Sequence, residues 1–230
     1  MAETTAPPPL TLAAVRGLEK TSDAFKRELI AVALRLGLDP NHLASVMSFE
    51  SAGTFSPSER NPYSGAVGLI QFTDRPTGKG VATTLGTTLG ALSVMTPIAQ
   101  LAYVEKFFRG VLAGRRLTGP NALRDTYLCV IAPFYVLSPP GTVIYSQAES
   151  PDQYKGNKGL DANDDKKITA EEAAAPVEAI LRVALTRPPL VVPPAPQGNS
   201  ETTSIAFLVG LLGIVLALFN ARRAKVNGHV

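Results

Sequence analysis

Residues 39–72 read DPNHLASVMSFESAGTFSPSERNPYSGAVGLIQF, and this stretch decides the fold. Asp39 and Pro40 predict the start of a helix, because an Asp side chain can cap the first backbone N–H groups and Pro suits the first helical position. Glu50 lies at the predicted end of this helix and on its apolar face. That face also carries Leu43, Val46 and Met47. A glycine-containing loop then leads to the segment 64–72.

Helical periodicity also dominates the rest of the body. Apolar residues recur every three or four positions over 25–36, with Gly37 placed to end that helix, and again over 98–112 and 121–131. We expect the last two helices to pack as antiparallel neighbours. Only 142–145 resembles a strand. The sequence therefore predicts a mainly α fold.

Composition excludes several classes of protein. Of the 230 residues, 45% are hydrophobic and 18% charged, which favours a folded chain over a disordered one. The single cysteine, Cys129, can form neither an internal disulfide nor a cysteine-rich metal site. The net charge of +3 is accounted for by Arg222, Arg223 and Lys225, so the body is formally neutral. We therefore expect no nucleic-acid partner.

The C-terminal part of the chain has the pattern of a membrane anchor. Residues 202–221 contain no ionisable side chain and would form about 30 Å of helix, the thickness of a bilayer core. The alternative is a buried core helix. The basic residues that follow favour placing the tail in the cytoplasm and the folded body in the periplasm. Residues 1–10 show no signal-peptide pattern.

These observations divide the chain into six segments. The body comprises a main domain and an extension, and Pro-rich stretches flank it on both sides. The segments are a flexible arm at 1–9, a helical domain at 10–148, an extension at 149–186, a linker of extended polyproline II type at 187–201, a transmembrane helix at 202–221 and a basic tail at 222–230.

Glu50 is the candidate catalytic residue. Burial on an apolar face and the negative end of a helix dipole both disfavour its charge, so its pKa should rise, as a general acid requires. The alternative is a structural Glu paired with Arg60 or Arg109.

The motifs around Glu50 resemble those of a known family. The helix ends in Glu50-Ser51, and Gly68-Leu69-Ile70-Gln71 follows a Ser-Gly-Ala tripeptide after the loop. Together these motifs resemble the soluble lytic transglycosylase branch of the lysozyme-like superfamily, in its bacteriophage form, which implies that 10–148 is a lysozyme-like catalytic domain. The family has a third motif, Ala-Tyr-Asn, whose nearest match here is Thr126-Tyr127-Leu128, without the flanking Ala and Asn.

The resemblance implies cleavage of the β-1,4 bond between N-acetylmuramic acid and N-acetylglucosamine in peptidoglycan. Glu50 would act as acid and then as base, the muramyl C6 hydroxyl would attack C1, and a 1,6-anhydro product would form. Ser51, Gly68, Gln71 and Tyr127 are the implied substrate-binding residues. Local capping by Ser51, a surface amide at Gln71 and a packing role for Tyr127 are the structural alternatives.

A second constellation lies at 161–172 and matches an EF-hand loop of twelve residues. Lys166 stands where such loops carry Gly, and a helix should leave the loop over 169–185, whereas Pro151 and Gly156 argue against a helix before it. We expect structural Ca²⁺ here, or else an Asp-rich turn that caps the last helix. The candidate oxygen donors are Asp161, Asn163, Asp165, the Lys167 backbone, Thr169 and Glu172.

Other classes of function stay open beside the transglycosylase. One is a non-catalytic, lysozyme-like structural protein of a virion or membrane, and another is a hydrolytic muramidase. For the leading hypothesis we expect a role in cell-wall penetration or host lysis. The partners would be glycan strands, the membrane through 202–221 and other virion proteins. The location would be the phage virion or the host envelope, with the catalytic domain facing the periplasm.

Overall fold

The structure is a computed structural model that describes residues 10–74 and 84–195. Within them the chain is mainly helical, which confirms the predicted fold class at that level. The helices are α1 (Asp23–Leu36), α2 (Pro40–Glu50), α3 (Leu89–Ser93), α4 (Pro97–Leu112), α5 (Ala122–Ile131), α6 (Pro151–Asn157) and α7 (Ala170–Leu185). The strands are β1 (Leu10–Leu12), β2 (Val143–Ser146), β3 (Lys167–Thr169) and β4 (Leu190–Val192).

Local capping signals set the bounds of the first two helices. Ser22 accepts a hydrogen bond from the Phe25 backbone N–H at the start of α1, and Gly37 ends it with φ of 70°. Asp39 accepts from the Asn41 backbone N–H, and Pro40 occupies the first position of α2. These caps lie where the sequence predicts them, and they place Glu50 as the last residue of α2.

The helices pack in an order that the sequence does not predict. Helix α4 lies mainly against α1, and α5 lies mainly against α7, which also packs on α2. The predicted pairing of 100–112 with 121–131 is wrong, because α4 and α5 touch only slightly. The fully buried side chains of Ala173 and Val177 place α7 in the core. The expected extension is therefore built into the compact unit that runs to Pro194.

The two ends of this unit are joined by a small sheet. Strand β4 pairs antiparallel with β1, with Leu10 opposite Val192 and Leu12 opposite Leu190. Arg27 Nη1 also donates to the Pro193 carbonyl at 2.9 Å. The predicted linker at 187–201 therefore begins with a paired strand rather than polyproline II, because apolar Val192 buries against the core.

Part of the predicted organisation lies outside the described residues. This concerns the arm at 1–9, the end of the linker, the span at 202–221 and the tail at 222–230. In the part of the chain that is described, no helix is both long enough and apolar enough to span a bilayer.

Candidate active site

Glu50 is the last residue of α2, a helix whose apolar face is buried. Leu43, Val46 and Met47 are fully buried, so the apolar face of α2 fixes the direction in which its last residue projects. The Glu50 side chain itself is half-buried and keeps some contact with solvent. Burial raises its pKa to about 8. At neutral pH this carboxyl group is therefore mostly protonated and can donate a proton.

Within the described residues, no ion pair explains the position of Glu50. Arg60 Nη1 donates to the Gly65 carbonyl at 3.0 Å, and Arg109 binds Glu105 one helical turn away. Among the described residues no hydrogen bond or ion pair to the Glu50 carboxyl is present, and no second acidic group contributes to its raised pKa. The structural alternative with Arg60 or Arg109 is therefore wrong for these two arginines.

Tyr127 packs against Phe49, the residue that precedes Glu50. Its side chain is 2% exposed, and its ring meets that of Phe49 edge to face with centroids 5.5 Å apart. Burial raises its pKa well above the ordinary value, and the charges of Glu50 and Tyr145 raise it further. The phenol is therefore neutral and close enough to Glu50 to interact with it electrostatically. Helix α5 thus brings the nearest match to the third motif to the predicted acid.

Ser51 is a buried residue and does not line the surface at Glu50. Its hydroxyl donates to the Met47 carbonyl at 2.7 Å and accepts from the Phe55 backbone N–H at 3.0 Å. The residue is completely buried, so no surface is left for a sugar. This arrangement corresponds to the local capping alternative, because Ser51 satisfies backbone groups where α2 ends and the chain turns.

The Gly68–Gln71 motif forms a tight turn at the end of a short antiparallel pairing. The Gly68 backbone N–H donates to the Glu59 carbonyl at 2.8 Å, and Val67 and Phe72 exchange both backbone hydrogen bonds. Gly68 has φ of 86° and Gln71 has φ of 53°. Gln71 Nε2 donates to the carbonyls of Gly68 at 3.2 Å and Glu59 at 3.4 Å. The amide oxygen of Gln71 is the group left to meet a ligand.

Sequence reasoning missed a residue of this region, Gln100 on α4. Its side chain is completely buried and accepts from the Leu69 backbone N–H at 2.7 Å. Gln100 lies on a helix that carries no recognised motif and is distant in sequence from the turn. A polar residue within the apolar face of an amphipathic helix was the available signal.

The second predicted site, the loop at 161–172, is enclosed by helices on both sides. Helix α6 precedes it, followed by the 3₁₀ turn Lys158–Leu160, and α7 leaves it. The expectation of no helix before the loop is therefore wrong. Pro151 occupies the first turn of α6, where a missing backbone N–H breaks no helical hydrogen bond.

The loop is folded by its own side chains. Asp161 Oδ2 accepts from the Lys166 backbone N–H at 3.0 Å and from the Tyr154 hydroxyl at 2.7 Å. Asn163 Oδ1 accepts from the Asp165 N–H, and Asp165 Oδ1 accepts from the Lys167 N–H, both at 2.9 Å. Lys166 adopts φ of 68°, the conformation for which EF-hand loops use Gly at this position.

The loop carries oxygen donors of the kind that Ca²⁺ prefers, and two of its residues also cap α7. Glu172 Oε2 accepts from the Thr169 N–H at 2.9 Å and hydroxyl at 2.8 Å, which forms a capping box at the start of α7. Within residues 10–74 and 84–195, no three His, Cys, Asp or Glu side chains form a group that could hold a metal. Asp161 Oδ1, however, is buried and has no hydrogen-bond partner among the residues that the structure describes, which favours a further ligand at this oxygen. Ca²⁺ binding stays a prediction.

The chain was also compared with known proteins. Neither the models of known protein families nor the curated protein sequences gave a match.

Proposed function

We propose that this protein is a peptidoglycan lytic transglycosylase, as the resemblance in its motifs implies. The observation that carries the proposal is the state of Glu50, a half-buried acid at the end of α2 with no ion-pair partner among the described residues. Its pKa of about 8 keeps it protonated at neutral pH, and Tyr127 packs against Phe49, the residue before it. An acid placed in this way is suited to proton transfer.

The proposed reaction uses Glu50 twice. The protonated carboxyl gives its proton to the glycosidic oxygen as the bond from that oxygen to the muramyl C1 breaks. The resulting carboxylate then takes the proton of the muramyl C6 hydroxyl, whose oxygen forms a new bond to C1, and Glu50 returns to its protonated state. The substrate acetamido group assists at C1. No water is consumed, and the product is a 1,6-anhydro sugar.

The electrostatics of the site favour a mechanism with one carboxylate. Glycosidases with two carboxylates place the second about 5–10 Å from the acid. No second acidic group contributes to the pKa of Glu50 among the described residues, and the Glu59 carboxylate accepts from the Thr54 hydroxyl at 3.1 Å. This supports internal attack over hydrolysis by an activated water.

We further propose that residues 202–221 anchor the protein to a membrane and that the catalytic unit acts on glycan strands in the periplasm. The absence of charge over that segment and the basic residues after it support this placement. The protein would travel in a phage particle or act in the host envelope, for cell-wall penetration or lysis.

The proposal is tested by Glu50→Gln, with Glu19→Gln as the matched control. Glutamine keeps the shape of Glu50 but cannot donate the proton, so clearing of purified sacculi should fall by about 10²–10⁴-fold. Glu19 is exposed and its side chain forms no hydrogen bond or ion pair with the described residues, so its variant should clear sacculi like the wild type. Wild-type activity in Glu50→Gln would reject the assignment. No activity in the wild type would favour a non-catalytic lysozyme-like structural protein.

A further inference from the structure

Gln100 is a completely buried amide whose side chain bonds three separate parts of the backbone. Its Oε1 accepts from the Leu69 N–H at 2.7 Å. Its Nε2 donates to the carbonyls of Pro57 at 3.2 Å and Leu92 at 2.9 Å. An unpaired amide would be costly at such a position, whereas this one has both N–H donors and its oxygen engaged.

The three partners fix the orientation of the amide. Rotation of the group by half a turn would set its NH₂ against the Leu69 N–H and its oxygen against two carbonyls. All three contacts would be repulsive, so only one orientation satisfies the buried groups. Gln100 therefore acts as a rigid connection among the segment after α2, the Gly68–Gln71 turn and α3.

The Gly68–Gln71 turn packs closely against the Gln100 amide. A Cβ atom at Gly68 would lie 2.4 Å from Gln100 Oε1, so the backbone approaches as closely as only glycine permits. Gln71 is held at φ of 53°, a conformation that costs energy for a residue other than glycine and persists where its surroundings enforce it. The Leu69 N–H, in the middle of the turn, is held by Gln100.

Further hydrogen bonds link the Gly68–Gln71 turn to the segment that follows Glu50. Thr54 Oγ1 lies 2.8 Å from the Ser51 carbonyl and 3.1 Å from the Glu59 carboxylate, so these two acceptors share its single hydroxyl proton. The Glu59 carbonyl accepts from the Gly68 N–H. Because Gln100 also binds Pro57 within this segment, it holds both sides of the structure that joins α2 to the turn.

We propose that Gln100 is a positioning residue that sets the Gly68–Gln71 turn, and with it the Gln71 amide oxygen, for binding of a glycan strand. This inference rests on the proposed function for its ligand. Gln100 is buried and does not touch the sugar, so its effect on the reaction passes through the turn. Loss of its hydrogen bonds should weaken glycan binding while the chemistry at Glu50 continues.

The test compares Gln100→Leu and Gln100→Glu with Val104→Ala, a control at a fully buried site on the same helix. Glutamate keeps an oxygen for the Leu69 N–H, so it provides a milder variant if the leucine protein does not fold. Exchange of the Leu69 amide hydrogen, followed by NMR, reports on the hydrogen bond without reference to function. Kinetics on soluble glycan strands, released from sacculi by an amidase, report on binding and turnover.

We expect faster Leu69 exchange in Gln100→Leu than in the control, with KM raised roughly tenfold and kcat changed by less than about threefold. Unchanged KM despite faster exchange, or equal changes in the Val104→Ala control, would overturn the positioning role and leave the proposed function intact. Wild-type protein that neither binds nor cleaves the strands would overturn the proposed function, and this inference would fall with it.

Discussion

The carboxyl group of Glu50 is neutral at physiological pH because it is half-buried and has no cationic partner among the described residues. In a hydrated environment it would lose its proton near pH 4.5. Retention of the proton up to about pH 8 makes Glu50 an acid at neutral pH.

This coupling predicts how stability depends on pH. Between the unfolded pKa near 4.5 and the folded pKa of about 8, the folded protein binds more protons at Glu50 than the unfolded chain. The Glu50 contribution to unfolding free energy should therefore fall as pH rises, by at most about 1.4 kcal/mol per pH unit. Glu50→Gln removes this term, so the variant should gain stability over the wild type across that window.

Urea unfolding of the wild type and Glu50→Gln at several pH values measures this difference. Glu19→Gln is the control, because the same change at an exposed position should show no comparable trend. A stability difference between Glu50→Gln and wild type that is constant with pH would mean that Glu50 titrates normally.

Single residues also show which features of the site can be predicted from the sequence. The position of Glu50 could be predicted because its helix is defined by neighbours in sequence, Asp39 and Pro40. The three hydrogen bonds of Gln100 join it to segments elsewhere in the chain, and no local sequence pattern specifies them.

At the level of elements, the loop between α6 and α7 combines two roles that the sequence leaves as alternatives. Glu172 caps α7, while one buried oxygen of Asp161 has no hydrogen-bond partner in the described part of the chain. The helix after the loop was predictable, because Thr169 and Glu172 have the spacing of a capping box. Helix α6 was not, because Pro151 and Gly156 have low helical propensity and tertiary packing of Tyr154 outweighs it.

We predict that millimolar Ca²⁺ raises the melting temperature and that Asp161→Ala removes the rise. A ligand that binds only the folded state adds RT ln(1 + [L]/Kd), or about 2.7 kcal/mol at a hundredfold excess over Kd. Lys166→Gly should increase the rise, because it removes a cation and relieves the positive φ at 68°. Lys166→Ala is its control, since it removes the charge alone.

The measurement is a thermal melt of each protein in Ca²⁺ and in chelator. Identical melting curves for the wild type under both conditions would leave only the capping role of the loop. An equal rise in wild type and Asp161→Ala would place Ca²⁺ elsewhere on the protein.

At the scale of the whole molecule, the described unit is joined at its ends by β1 and β4. This pairing and the packing of α4 on α1 and α5 on α7 could not be predicted, because periodicity identifies an apolar face but not the face that it meets. The proline content of 187–201 likewise predicts extended backbone, but it does not predict that part of the segment pairs with another strand.

Two truncations test the role of β4. A chain ending at Ala195 keeps β4, so it should be soluble without detergent, melt cooperatively and retain activity. A chain ending at Arg187 loses the buried Val192 side chain and the pairing with β1, and should be less stable by about 1.5–3 kcal/mol. Equal stability of the two chains would show that β4 contributes nothing, and loss of folding in the longer one would mean that 196–230 belongs to the core.

The central claim is that Glu50 supports internal attack by the muramyl C6 hydroxyl. Mass spectrometry of the fragments released from purified sacculi tests it most directly, because the product ends record the nucleophile. The transglycosylase proposal predicts 1,6-anhydro-muramyl ends from the wild type and none above background from Glu50→Gln. Reducing muramic ends would instead identify a hydrolytic muramidase, and no released fragments would contradict an enzymatic role.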